Sequence, residues 1–551
     1  MVLAWLPSDT TVPQLAEAGF SPGVMSAGLG TVPAAQTYLD VGQGNRVFDS
    51  LYDEPLPGPR GDRSRWWREV VERAESAPAD IVPGLLRETL AREGVPPRLF
   101  EVRQTSLDQL PPAASYGLLI AIAQPIGESD APLPIGIAGP AFDGNLTSDS
   151  TRMDGYVLST DVAPTILEEL GIEPPSQMSG QPIRAEGTVD PGAIEARAER
   201  MDVISSRRGP VIGLNVAIWL AALLLVALVA RRRAPAAVRV AGLAAVYLPL
   251  VLLLGAALEP GQTAEQLLVL TGAPLLAALT LWLLRGYRAL ALASFLTVLA
   301  YATDLVTGSP LTALSLLGPN PGLGVRFYGI GNELEALLAV LVVAGTGAAL
   351  VGFFGNVSNR AAAIVFLVVG LLAAFVFAAG RFGADVGAAI VFPVGAAVAA
   401  VTMAGRGRRT ALVAVVAAPF AVLALLALID LLSGANAHLT RSVLDAGGFG
   451  NLADVAQRRL QLSAHSFARP VLLAFLPVVL LVGALAYLRR DRLRVWLEGV
   501  PAMRAGLLGA LAATVIGTLA NDSGALLLEI GTAYLLVFTG FAWAQSRAGA
   551  E

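Results

Sequence analysis

The pattern of apolar and polar positions divides the chain near residue 210. Before that point, short apolar runs alternate with amphipathic stretches. VLAWL, RLFEV, YGLLIAIAQ, LPIGIAG and YVLST read as strands, while VPQLAEAG, WWREVVERAES and IVPGLLRETLAREG have helical spacing. This alternation predicts an α/β domain with a mostly parallel sheet. The sharpest unit is STDVAPTILEELGI, in which Thr160 or Asp161 can cap a helix, Pro164 falls in the first turn and Gly171 stops it.

From residue 211 the period disappears into continuous apolar runs near the ~20 residues that cross a bilayer. They fall at 211–230, 240–258, 267–285, 288–306, 331–352, 361–380, 385–404, 411–433, 470–488, 505–520 and 524–544, giving about eleven spans. Pro249, Pro274, Pro393 and Pro419 lie inside spans, which lipid tolerates because neighbouring helices satisfy the freed carbonyls. The expected organisation is therefore an extracytoplasmic domain at 1–185, a polar connector at 186–210, and an all-α polytopic membrane domain at 211–551.

Composition sharpens the division. The chain is 55% hydrophobic and 15% charged, with mean hydropathy +0.63. Residues 1–210 carry 29 Asp and Glu against 16 Arg, and the remainder carries 14 against 22. Two environments are implied, and the acidic module excludes nucleic acid, which requires a basic face. Cysteine is absent, which removes disulfides and thiolate metal sites. Every base other than His438 and His465 is arginine.

Arginine also sets the orientation. The loops after odd-numbered spans, including RRRAPAAVR, RGYR, RGRRT and RRDRLRVWLEGVPAMR, hold the bases and should be cytoplasmic. The N-terminal domain then lies outside and the C-terminus inside. The segment 434–469, with Arg441, Arg458, Arg459 and Arg469, falls outside, as long loops obey the charge rule weakly. An exported domain normally follows a basic n-region and an apolar stretch of about 7–15 residues. MVLAWLPSDT has neither, so a signal or anchor segment ahead of this start is expected.

Ionisable residues at membrane depth are costly and mark function by default. VRFYGIGNELEALL enters the fifth span with Arg326, Asn332, Glu333 and Glu335. AAGRFGADVGAA joins the sixth and seventh with Arg381 and Asp385, and GTLANDSGALLLEIG joins the last two with Asn521, Asp522 and Glu529. Asp304 and Asp430 end the fourth and eighth spans, while His438 and Arg441 open the long loop. All converge on the outer face in the topology above. Glu333, Asp385, His438 and Asp522 are the candidate catalytic residues, suited to proton transfer. Arg326, Arg381 and Arg441 can clamp phosphate oxygens, with Asn332 and Asn521 as further substrate-binding groups. No metal site and no cofactor are expected. The bland reading is a set of helix-end groups that satisfy one another.

Two resemblances bear on this reading. LPIGIAGPAFDGNLTSDSTRMDGYVLSTDVAPTILEELGIEPPSQMSGQPI resembles the C-terminal part of the alkaline phosphatase/sulfatase/phosphoglycerate mutase superfamily, where a strand ends in a Thr-Asp-x-x-Pro-Thr turn. VPQLAEAGFSPGVMSAGLGTVPAAQTYLDVGQG is similar to the family's early region and places Thr31 at the nucleophile position. The resemblance implies a bimetal site held by Asp and His, yet this domain has no histidine, and Ala123, Gln124 and Pro125 stand where an Asp-His turn should be. A degenerate, non-catalytic scaffold or binding module is the expectation. The membrane part is similar in layout to O-antigen ligase/polymerase families, which act on undecaprenyl-linked glycans. That resemblance implies a multi-pass protein of the bacterial cytoplasmic membrane. Its partners would be membrane lipids and a lipid-linked glycan or phosphate, and it would act as a transferase or ligase. A transporter or flippase of an envelope precursor and a non-catalytic envelope-assembly scaffold are the alternatives. No oligomeric state is defined.

Overall fold

The computed structural model describes residues 1–46, 56, 63–76, 80–96, 99–110, 112, 117–324, 326–355, 357–432, 460, 463–464, 466–468 and 470–548. It separates into two compact units. One comprises Met1–Ser206 with Pro319–Phe327, the other Arg207–Gly318 with Tyr328–Glu551.

The first unit is an α/β fold. Its six-stranded sheet runs β4-β1-β5-β7-β2-β9, formed by Glu101–Gln104, Val2–Leu6, Leu119–Ala123, Leu133–Ala138, Ser21–Ser26 and Tyr156–Leu158. β1 is parallel to β4 and β5, and β2 is parallel to β9, while β7 runs antiparallel between β5 and β2. The sheet is thus mostly parallel, as the alternation predicts. Helices cover both faces, so the central strands are apolar throughout. Leu3, Trp5, Ile120 and Ile122 enter one core, and Val2, Ala4, Leu6, Leu119 and Ala121 the other, following the two-residue period of a strand.

The expected helices α1 (Val12–Glu17), α3 (Arg63–Ser76), α4 (Leu85–Arg92) and α5 (Val162–Glu169) are present, and α2 (Ala34–Gln43) joins them. Gly171 stops α5 with φ +70°. Asp161 does not cap α5 through its side chain; its carboxylate has other partners, described below. The stretch read as a polar connector is largely helical, as α6 (Pro191–Arg208).

The second unit is helical. It contains α7 (Leu214–Val229), α8 (Ala234–Leu258), α9 (Gln262–Leu283), α10 (Tyr287–Val306), the short α11 (Pro310–Leu314), α12 (Asn332–Phe353), α13 (Asn359–Ala378), α14 (Ala388–Met403), α15 (Arg408–Leu432), α16 (Pro470–Leu488), α17 (Arg490–Trp496), α18 (Pro501–Ala520) and α19 (Gly524–Ala548). Each expected span coincides with a helix. Nine described helices are long and apolar enough to cross a bilayer, or ten if α16 and α17, bent by 73°, count as one span. The expected eleven is corrected at α14, whose 16 residues fall short of a crossing. The loop 379–387 takes up residues that the hydropathy pattern assigns to spans. α12 is largely buried and packs against α10, α13, α14, α18 and α19. Glycines allow close approach in the bundle: a Cβ at Gly509 of α18 would fall on the Gly395 carbonyl of α14.

Candidate functional site

In the second unit, polar groups gather where α12 begins, where α13 passes to α14, and where α18 turns into α19. The first turn of α12 presents Asn332, Glu333 and Glu335, and carboxylates there are favoured by the exposed amides of a helix N-terminus. Glu335 is fully buried, and its Oε2 accepts a hydrogen bond from Asn521 Nδ2 at 2.7 Å. Asn521 Oδ1 in turn accepts from the Ser523 amide at 3.1 Å, which fixes the turn. At the rim, Asn332 Nδ2 donates to Asp522 Oδ1 at 3.2 Å.

The loop after α13 completes the cluster. Asp385 is 4% exposed, and its Oδ1 accepts from the Gly387 amide at 2.8 Å. Gly387 lies against the Glu335 carboxylate so closely that a Cβ there would stand 2.6 Å from Oε2. The Ile330 amide donates to the Gly383 carbonyl at 3.0 Å. Gly329, at φ +79°, packs on that same carbonyl where a side chain would collide; glycine alone meets both demands. These contacts place the entries to α12, α14 and α19 at one end of the bundle. Ser463 and Ser466 cap the same end: Ser463 Oγ donates to the Thr518 carbonyl at 2.6 Å, and Ser466 Oγ accepts from the Ala525 amide at 3.0 Å.

Basic residues reach this end too. Arg208 NH1 lies 3.4 Å from Glu333 Oε1, and its NH2 donates to the Gly318 carbonyl at 2.6 Å. Arg207 NH1 pairs with the fully buried Glu265 at 3.2 Å and donates to the Pro260 carbonyl at 2.9 Å. Asp304 accepts from the Leu311 and Thr312 amides at 3.0 and 2.8 Å, capping α11.

Of the sequence candidates, Asn332, Asp385, Asn521 and Asp522 are therefore brought together, with Glu333 held by Arg208. Arg381 is exposed in the same loop, its guanidinium 5.9 Å from the Phe382 ring centre. Arg326 belongs to the first unit, with the segment Pro319–Phe327. His438 and Arg441 lie outside the described residues. Glu335 and Arg208 are the contributors that sequence reasoning passed over as site residues. The available signal for Glu335 was its spacing: Glu333 and Glu335 sit two positions apart, about 200° around a helix, so only one can face inward.

The first unit has its own buried polar region. α2 turns a polar stripe inward, with Gln36, Thr37, Asp40 and Gln43 all at 0% exposure, and packs against Ser159–Asp161. Asp161 anchors it. Oδ2 accepts from Ser148 Oγ at 2.6 Å and the Leu158 amide at 2.9 Å, and Oδ1 from Ser150 Oγ at 2.5 Å and the Gln181 amide at 2.9 Å. Burial nevertheless pushes its carboxyl above the usual range, with the four donors pulling it back. Arg46 donates through NH1 to the Gly324 carbonyl. Burial lowers the guanidinium's pKa, opposed by Asp40 and Asp161. Thr31 is exposed in the turn before α2. Among the described residues, no group of three His, Asp or Glu side chains could hold a metal ion.

Helices of this length and composition define a multi-pass membrane protein, here carrying an N-terminal α/β unit. No protein-family model matches the chain, and neither a curated protein nor a solved structure is significantly similar to it.

Proposed function

We propose that the second unit is a transferase that moves a group from a lipid-linked donor, with the polar end of the bundle as its reaction site. The observation that supports this most is the Asn521–Glu335 hydrogen bond, which ties together segments 186 residues apart and keeps a carboxylate fully buried in an apolar bundle. Burying such a charge is costly unless it is paired and useful. Asp385, beside it, is the proton acceptor in this reading. It takes the proton of an acceptor hydroxyl; the hydroxyl oxygen bonds to the transferred group as the bond to the lipid phosphate breaks, and the phosphate leaves with the electron pair. Arg381 meets the phosphate, while the Glu335–Asn521 pair holds the loop through Gly387.

The gathering of polar groups at helix ends favours transfer chemistry over a transport path, whose binding site would sit at mid-membrane. The arginine distribution supports an extracytoplasmic site in a cell-envelope membrane. His438 and Arg441 keep the roles of second base and phosphate contact. The first unit, alkaline-phosphatase-like in this reading but without metal ligands, would present the acceptor. Replacing Asp385 by Asn and Asn521 by Ala tests the assignment in purified full-length protein. Both variants should elute as folded protein while transfer disappears in the first and falls in the second. Full activity in Asp385→Asn sinks the proposal.

A further inference from the structure

Directly after the apolar helix α16 come Arg489, Arg490, Arg492 and Arg494, with Asp491 among them and Glu498 following. The chain does not continue along the α16 axis there, because α17 turns away from it by 73°. α18 starts just beyond, at Pro501, and reaches the polar cluster only at its far end, Asn521. This corner therefore lies at the other end of the bundle from Asp385.

α17 has two faces. Leu493, Trp496 and Leu497, at the i, i+3, i+4 spacing of one helical face, are half-buried, and the helix packs on α16 and α19. The four arginines are exposed. Arg494 NH1 pairs with Asp491 Oδ1 at 3.1 Å, and the Arg490 guanidinium lies 4.6 Å from the centre of the Tyr487 ring. Tyr487 is itself exposed, in the last turn of α16.

An exposed tyrosine at the end of a span, a sharp turn, and a short helix with tryptophan on its inner face and arginine on its outer face are the features of a segment that lies along a membrane surface. Four bases immediately past a span attract anionic headgroups, and a guanidinium grips phosphate oxygens through its planar fork of donors. We propose that the basic face of α17 binds the headgroups of anionic phospholipids in the bilayer that α16 enters. Charge complementarity selects this occupant, because a zwitterionic surface offers no net charge to match the arginines. The site stands apart from the transferase reading and does not depend on it.

The chain has no cysteine, so Val495→Cys, at an exposed position among these arginines, accepts a single maleimide dye. Labelled full-length protein is placed in phosphatidylcholine nanodiscs doped with spin-labelled phosphatidylglycerol or, in parallel, with spin-labelled phosphatidylcholine. The anionic lipid should reach half-maximal quenching at a mole fraction at least about fivefold lower, and this preference should shrink as ionic strength rises. Arg490→Gln combined with Arg492→Gln should bring the two lipids to equal quenching. The corresponding pair of Arg→Lys changes keeps the charge and should retain most of the preference, as should Arg360→Gln at the start of α13. Excess soluble glycerol phosphate should leave the preference intact. Equal quenching by both lipids in wild type, or an undiminished preference in the glutamine pair, overturns the proposal. So does a lysine pair that fails as fully as the glutamine pair, which would mean that charge is not the cause. Loss of the preference to glycerol phosphate would mean a free-phosphate site and would equally overturn it.

Discussion

Asp161 receives four donors from three separate segments, Ser148 and Ser150, Leu158, and Gln181. An amide at this position keeps one acceptor oxygen but turns N–H groups toward backbone amides that cannot reverse. Asp161→Asn should therefore destabilise the first unit by about 1–3 kcal/mol. The pH dependence has a definite sign. Burial raises the carboxyl in the folded state, so the fold binds the proton more readily than the unfolded chain does. This group's contribution is full below the unfolded value and fades as pH rises through the folded one. The thermal-unfolding gap between wild type and Asp161→Asn should thus widen as pH falls from neutral into the carboxylate range. A gap that narrows on acidification contradicts the assignment. The sequence marks this Asp through its Thr-Asp-x-x-Pro-Thr setting, but suggests a simpler role, capping α5. Its true partners are 3 to 20 residues away in sequence, and nothing in a local pattern announces them.

At the scale of elements, periodicity identifies the strands of the main sheet well wherever both faces are apolar, as in β1, β5 and β7. It overlooks α2 because that helix reverses the usual rule: its buried face carries Gln36, Thr37, Asp40 and Gln43. Only Ala35, Leu39 and Val41 add an apolar component to the buried residues of that helix. Hydropathy finds the helices of the second unit and breaks between 380 and 385, but it gives residues 379–380 and 385–387 to spans although they belong to the loop that holds Asp385. That loop depends on tight contact. Gly387 has an ordinary helical φ, −59°, so alanine there meets no backbone strain; the nearest atoms its methyl would meet are those of the Glu335 carboxylate. Gly387→Ala should displace Glu335, cost about 1–3 kcal/mol as an overpacking change, and slow transfer, whereas Gly483→Ala, inside a helix with open space around its Cβ position, should do neither. Thermal unfolding and turnover of the two variants distinguish these outcomes. Unchanged stability and turnover in Gly387→Ala would refute the contact.

For the whole molecule, the split in charge and hydropathy near residue 210 anticipates the presence of an α/β unit and a helical unit, because solvent and lipid impose opposite compositions. It gives no hint that Pro319–Phe327 groups with the first unit; that grouping comes from packing such as the Phe327–Tyr156 ring contact at 5.2 Å. Orientation rests on arginine alone and is open to a direct check, since the chain has no native cysteine. A membrane-impermeant maleimide applied from outside should label Asp522→Cys in intact cells, and Arg360→Cys only after permeabilisation. The reverse pattern would place the polar end in the cytoplasm.

The measurement that bears most directly on the proposed reaction site is turnover of a labelled long-chain isoprenyl diphosphate sugar by the full-length protein in proteoliposomes, comparing wild type with Asp385→Asn at saturating lipid. Removal of a general base predicts a fall in rate of about 100-fold or more, with lipid binding retained. Equal rates in the two proteins, or no transfer by wild type in the presence of a hydroxyl acceptor, would contradict the account.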